Sequence, residues 1–301
     1  MSQGVILSKR DLALLALLEM TPATAVQIRN ASITFGDEPF RDERRVRERM
    51  QALSDAGLVK GWPAAIAGGG LMHYYKLTVA GFQALHPDHG ESPARPVVSE
   101  IAPSRFQHAI ATAAIIVHTL VAAYLTQVRV AKFHGDGKLT LAVGEYRQQP
   151  DCHFQFERSG KTFNVVVEVD NATEPLDSPR EQSIRTKLLG YECYQDWVLR
   201  GWQEHGRIGP RPAFRVVFLT KGQQRAEHIL SLARDCARNP RRILCYATTQ
   251  DQYLAEQLAV TKPILNDHEG HWQSLVNVHP TSRFSREPIR LAQTLAPTGI
   301  V

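Results

Sequence analysis

The stretch from Asp151 to Asp170, DCHFQFERSGKTFNVVVEVD, leaves this chain little conformational freedom. Two alternating runs flank Ser159-Gly160, a pair suited to a two-residue hairpin turn. If the turn closes there, Arg158 faces Lys161 and the register of the whole hairpin follows. Cys152 then pairs with Val167, Phe154 with Val165 and Phe156 with Phe163, which makes one apolar face. The other face carries Asp151, His153, Gln155, Asn164, Glu168 and Asp170, with Asp151 directly opposite Glu168. Opposed residues on one face lie about 5 Å apart at Cβ, so like charges there are unfavourable without a compensating cation. Carboxylates gathered in this way make an oxygen-rich site of the kind Mg2+ uses. An ordinary hairpin with one polar face has the same pattern, so the surrounding sequence has to decide.

At 301 residues the chain is long enough for two domains. Its apolar content of 43% is that of a soluble protein. The apolar run from Ile110 to Tyr124 is read as too short to cross a bilayer, and it contains His118. Near the start, Lys9, Arg10 and Asp11 precede an amphipathic stretch and no small-residue cleavage site follows, which argues against a signal peptide. Cys152, Cys193, Cys236 and Cys245 lack CxxC spacing and read as buried thiols. The expectation is a cytoplasmic protein with no membrane partner. A net charge of +5 permits nucleic-acid binding without establishing it.

Residues 1–86 read as a winged helix-turn-helix. Ser8 opens a helix that buries Leu14, Leu15, Leu17 and Leu18; Thr21-Pro22 ends it. A short second helix holds Val26 and Ile28. In the third, Val46, Met50 and Leu53 recur at helical spacing. Arg41, Arg44, Arg45, Arg47 and Arg49 lie largely off that stripe, and a helix with arginines on its free face suits the major groove. Asp42, Glu43 and Glu48 could instead pair with them and leave a merely solvated face. Two strands follow, with Lys76 in the second as a further DNA contact and Gly68 to Gly70 at the wing.

Residues 87–104, rich in Pro, Ser and charge, read as a linker. Residues 105–260 then give a buried helix, strands near 128–133 and 138–143, the hairpin, and a helix started by Ser178-Pro179-Arg180-Glu181. Phe214–Thr220, Gln223–Arg238, Ile243–Thr248 and Gln250–Leu258 continue as strand, helix, strand and helix. This is a mixed α/β layer around a central sheet. Residues 261–301 form a C-terminal extension, in which Asp267 to His271 reads as a polar turn. In the helix after the hairpin, Lys187 shares a side with Ile184, Leu188 and Tyr191. A buried ammonium needs a partner, and the hairpin carboxylates are candidates; a lysine snorkelling from the stripe's edge is the alternative.

The order helix, three strands, helix, strand resembles the core of the PD-(D/E)XK nuclease superfamily, with Pro150-Asp151 and Glu168-Val169-Asp170 where its acidic motifs fall. The chain as a whole resembles the replication-relaxation family of bacteria and plasmids. The winged-helix block, Phe106-Gln107-His108, those two acidic motifs and Lys187-Leu188-Leu189-Gly190-Tyr191 carry that resemblance. It implies a restriction-endonuclease-like α/β sandwich with a central mixed sheet. It also implies double-stranded DNA of a plasmid or mobile element as partner, with a homodimer compatible. On the nuclease reading, Asp151, Glu168 and Asp170 hold Mg2+ or Mn2+, Lys187 stabilises the phosphate charge and Tyr191 orients it. The sequence departs from the superfamily where Asp170 replaces the last motif lysine, and Lys187 would have to supply that cation. The alternative is a non-catalytic DNA-binding replication or transcription regulator with a degenerate nuclease domain.

Overall fold

The computed structural model describes residues 7–65, 69–88, 92–178, 183–209 and 211–276. The chain divides into two compact units, one ending at Tyr124 and one beginning at Leu125.

The first unit opens with α1 (Lys9–Met20), whose N-terminus is closed by a capping box between Ser8 and Asp11. After β1 (Ala23–Thr24), Thr24 and Gln27 form a second capping box for α2 (Ala25–Ala31). Asp42 caps α3 (Glu43–Asp55), which buries Val46, Met50 and Leu53 on one stripe. Gly57, at a φ of 73°, turns the chain out of the helix. The strands β2 (Val59–Ala65) and β3 (Leu71–Leu77) form an antiparallel hairpin, and β1 adds to the other edge of β3. At the hairpin tip Gly69 and Gly70 both have positive φ, while Gly68 lies outside the described residues.

Helices α4 (Val79–Leu85), α5 (Arg95–Val98) and α6 (Pro103–Leu125) complete this unit. Here the structure corrects the expected linker. Residues 92–104 are packed, not free: Lys76 Nζ donates to the Pro96 and Ser99 carbonyls, and the Ile101 N–H donates to Tyr74 Oη at 3.0 Å. Phe106 then joins Trp62 and Tyr74 in an aromatic cluster. The domain boundary therefore falls after α6, not before it. At 23 residues α6 is also, by length and composition, long and apolar enough to cross a bilayer, contrary to expectation; half of its most apolar window is buried in the fold.

The second unit is built on a seven-stranded mixed sheet. In chain order its elements are β4 (Arg129–His134), β5 (Leu141–Val143), β6 (Tyr146–Gln148), β7 (Cys152–Arg158), β8 (Lys161–Asp170), α7 (Ile184–Glu204), β9 (Phe214–Thr220), α8 (Gln223–Cys236), β10 (Cys245–Thr249), α9 (Gln250–Ala255), β11 (Leu265–Asp267) and β12 (Trp272–Gln273). The sheet order is β12-β11-β10-β9-β8-β7-β4, with β8, β9 and β10 parallel. The β7–β8 hairpin has the register read from its turn, from Arg158 against Lys161 to Cys152 against Val167. Ser159 and Gly160 have φ of 50° and 72°, the two positive values a type I′ turn requires.

The strand expected at 138–143 is shorter and leaves the main sheet. A tight turn ending at Lys138, whose N–H donates to the Gly135 carbonyl, redirects the chain, and β5 pairs with β6 in a separate two-stranded sheet. Ser183 caps α7 at its observed start; Pro179, Arg180 and Glu181, the expected start signal, lie outside the described residues. One face of the sheet, through Val166, Val216, Phe218 and Ala247, packs against Ile184, Leu188 and Tyr191 of α7 and Ala226, Ile229 and Ala233 of α8. The polar turn between β11 and β12 is closed by Asp267, whose Oδ1 accepts from the N–H groups of Glu269 and His271.

Candidate functional site

Two groups of charged side chains need an account. The first is the outward face of α3. Arg44 and Arg45 pair with Glu48 at 3.0 and 2.9 Å, and Arg47 with Glu43 at 3.3 Å, all on the exposed surface of one helix. Arg41 is exposed just before the helix. Arg49 behaves differently. Its guanidinium grips the fully buried Asp11 of α1 with both Nε and Nη2. Burial alone would raise the Asp11 carboxyl, but the Arg49 and Ser8 hydrogen bonds outweigh it and hold the pKa below the usual value. Arg49 therefore ties α3 to α1, which corrects its placement on a DNA-facing surface. Lys76 is corrected likewise. It is only 5% exposed, burial pushes its pKa down to about 8, and its ammonium serves the Pro96 and Ser99 carbonyls.

The second group gathers where β8 ends. Glu168, on the face of β8 that meets α7, is buried. Its Oε2 accepts from Lys187 Nζ at 2.9 Å and its Oε1 from the Tyr191 hydroxyl. Lys187 thus projects toward the sheet, as its place in the apolar stripe of α7 requires. The same ammonium lies 2.9 Å from Glu174 Oε2, in the loop after β8. Asp151, immediately before β7, accepts the Val169 N–H on Oδ2 at 2.6 Å and adds its charge to the surroundings of Glu168. Burial pushes the Glu168 carboxyl up to about 7, with Lys187 pulling against it. Burial works against the Lys187 ammonium too, but Glu168 and Glu174 outweigh it and raise its pKa.

Asp170 has a different partner. Two residues along a strand separate side chains on one face by about 7 Å, and Asp170 faces α8. Arg225 Nε donates to its Oδ2 at 2.7 Å and Nη2 to its Oδ1 at 3.2 Å. Arg225 also donates to the Glu174 carbonyl at 2.6 Å. Neither Glu174 nor Arg225 was visible as a site residue in the sequence, since each lies in a separate polar segment with no spacing that links it to Glu168 or Asp170.

These residues do not fit the expected Mg2+ site. Among the described residues, no three His, Cys, Asp or Glu side chains converge as a metal-holding group. Both oxygens of Glu168 and both of Asp170 already accept hydrogen bonds, and one of Asp151 does. A hard cation would have to displace two ammonium or guanidinium partners to gain those oxygens. The structure brings Glu168, Lys187 and Tyr191 together and sets Asp170 apart.

The replication-relaxation family model matches residues 14–209, which spans most of the first unit and the N-terminal part of the second. The chain belongs to the replication-relaxation family. No curated protein matches this replication-relaxation chain. Among solved structures it is similar to the restriction endonuclease FokI, at 12% identity and a TM-score of 0.29, over 83% of this chain and 44% of that one. The chain thus spans less than half the length of that structure.

Proposed function

We propose that this replication-relaxation protein binds double-stranded DNA of a plasmid or mobile element during replication, in the cytoplasm, through a winged helix-turn-helix in its first unit. The second unit is a restriction-endonuclease-like sandwich whose charged groups hold it together and do not hydrolyse DNA. The outward face of α3 carries the DNA-binding reading. It presents Arg44, Arg45 and Arg47, which pair with exposed acids of the same helix, and the exposed Arg41 stands just before them. Exposed pairs of this kind are worth little, so a phosphate can replace the carboxylate at small cost. The non-hydrolytic reading of the second unit is supported by the filled oxygens of Glu168 and Asp170.

Replacing Arg41, Arg44, Arg45 and Arg47 by Ala should weaken duplex binding. It should also lower the slope of log affinity against log salt by about 0.9 for each phosphate no longer neutralised. Unchanged affinity and slope would remove α3 from the interface. Supercoiled plasmid should stay intact with Mg2+ or Mn2+. Metal-dependent nicking that disappears in Glu168→Gln would overturn the non-hydrolytic reading and restore the nuclease one.

A further inference from the structure

A bulge decides what the edge strand of the large sheet presents. Arg129 faces Glu157 and Val130 faces Phe156, but Lys132 faces Gln155, because one extra residue enters β4 between them. Without that shift His134 would oppose Cys152 on the apolar face. With it, His134 lies directly opposite His153. The two rings stack at 5.4 Å between centroids with 30° between their planes, and their Nδ1 atoms are 3.2 Å apart. Both residues are half-buried, each with part of its surface in solvent.

From this juxtaposition we infer that His134 and His153 form a two-histidine site for a divalent transition-metal ion of the Zn2+ or Cu2+ kind. At metal–nitrogen distances of 2.0–2.1 Å, a tetrahedral ion separates two of its ligand atoms by about 3.3 Å. The observed 3.2 Å is already that bite. Imidazole nitrogen favours these ions over Mg2+, and with two protein ligands the remaining positions go to water.

The protonation state suits the role. Burial, then His134 and Lys132, push the His153 pKa down to about 4; burial, Lys132 and Lys138 lower that of His134. Both rings are therefore neutral near pH 7, and one Nδ1–H donates to the other Nδ1. On binding, that proton moves to Nε2 of the same ring, both Nδ1 lone pairs face the ion, and no net proton is released. The same lysines repel the incoming cation, so they limit affinity while they keep the ligands free of protons. The site is separate from the Glu168 and Asp170 groups and does not depend on how they are read.

Titration of the full chain with Zn2+ alone, near neutral pH and followed by calorimetry, tests this. Loss of even an outer-shell partner costs a metal site about 10–100-fold, so His134→Gln and His153→Gln should each weaken one Zn2+ site by at least about tenfold. Lys132→Gln should tighten it. In the wild-type protein, Cu2+ should give an electron paramagnetic resonance spectrum with two imidazole nitrogens, a readout that does not require the variants to fold. Zn2+ affinity undiminished in folded variants, a Cu2+ spectrum with fewer than two imidazoles, or no Zn2+ binding by the wild type would each overturn the assignment.

Discussion

The ion pairs of α3 and those around Glu168 use the same chemical groups to opposite ends. On α3 the partners sit three or four residues apart on one exposed helix face, and Arg44 keeps 75% of its side chain in solvent. At Glu168 and Asp170 the partners come from different elements, and the carboxylates are 5% exposed. An exposed pair gains little from its partner and gives it up readily. A buried pair has already lost its hydration, so removal of one member leaves a charge that nothing solvates. Arg49 shows that position, not residue type, decides: one turn beyond Arg45 on the same helix, it is committed to Asp11.

The largest effect that would sharpen this contrast is expected at Lys187. Lys187→Met should destabilise the protein by about 3 kcal/mol at about pH 8, and by less at about pH 5, where Glu168 can take up a proton instead. Urea melts at both values measure it; an equal cost at both would mean that Lys187 acts through packing alone.

Glu168 supplies the next test. Its folded pKa of about 7 lies above its ordinary 4.5. Between those values the folded state holds the proton more tightly than the unfolded one. Its contribution to stability is therefore full below 4.5, falls as pH rises toward 7, and is flat above. Glu168→Gln removes that group, so the difference in melting midpoint between wild type and variant should change across this window. A constant difference would show that Glu168 does not titrate there.

The smallest effects separate the two kinds of arginine on α3. Arg49→Ala should cost about 2 kcal/mol, somewhat less than a fully buried pair because Arg49 keeps partial exposure. Arg44→Ala should leave the melt unchanged. If the two variants melt alike, the division between committed and exchangeable arginines fails.

Local order was legible wherever neighbours in sequence determine it. Ser159-Gly160 could be read as the turn that sets Cys152 against Val167, and Val46, Met50 and Leu53 as the buried stripe of α3, because turn geometry and helical spacing act over a few residues. Lys187 could be suspected of facing the sheet from its place among Ile184, Leu188 and Tyr191. The partners that close the ion pairs were not legible. Asp11 and Arg49 are 38 residues apart and Asp170 and Arg225 are 55 apart, and neither pair leaves a spacing signal. For the same reason the arginines of α3 looked alike, and Asp170 looked equivalent to Glu168. The bulge in β4 left only a faint mark: the apolar face passes from Val130 to Phe133, an odd step that breaks the alternation, and in so short an edge strand one such step is easily missed.

The two-residue turn at Ser159-Gly160 also sets what variation this part of the protein can tolerate. Exposed loop tips usually accept insertions. Here one added residue would either be expelled as a larger loop or shift β7 by a single step along β8. A single step carries every side chain of the strand to the opposite face, sending Phe154 and Phe156 toward the α7 side and His153 and Gln155 into the apolar layer. Natural variants should therefore keep the number of residues at this tip while changing their identity, provided both accept positive φ. Conserved length with free composition is the mark that such a hinge of register would leave in an alignment.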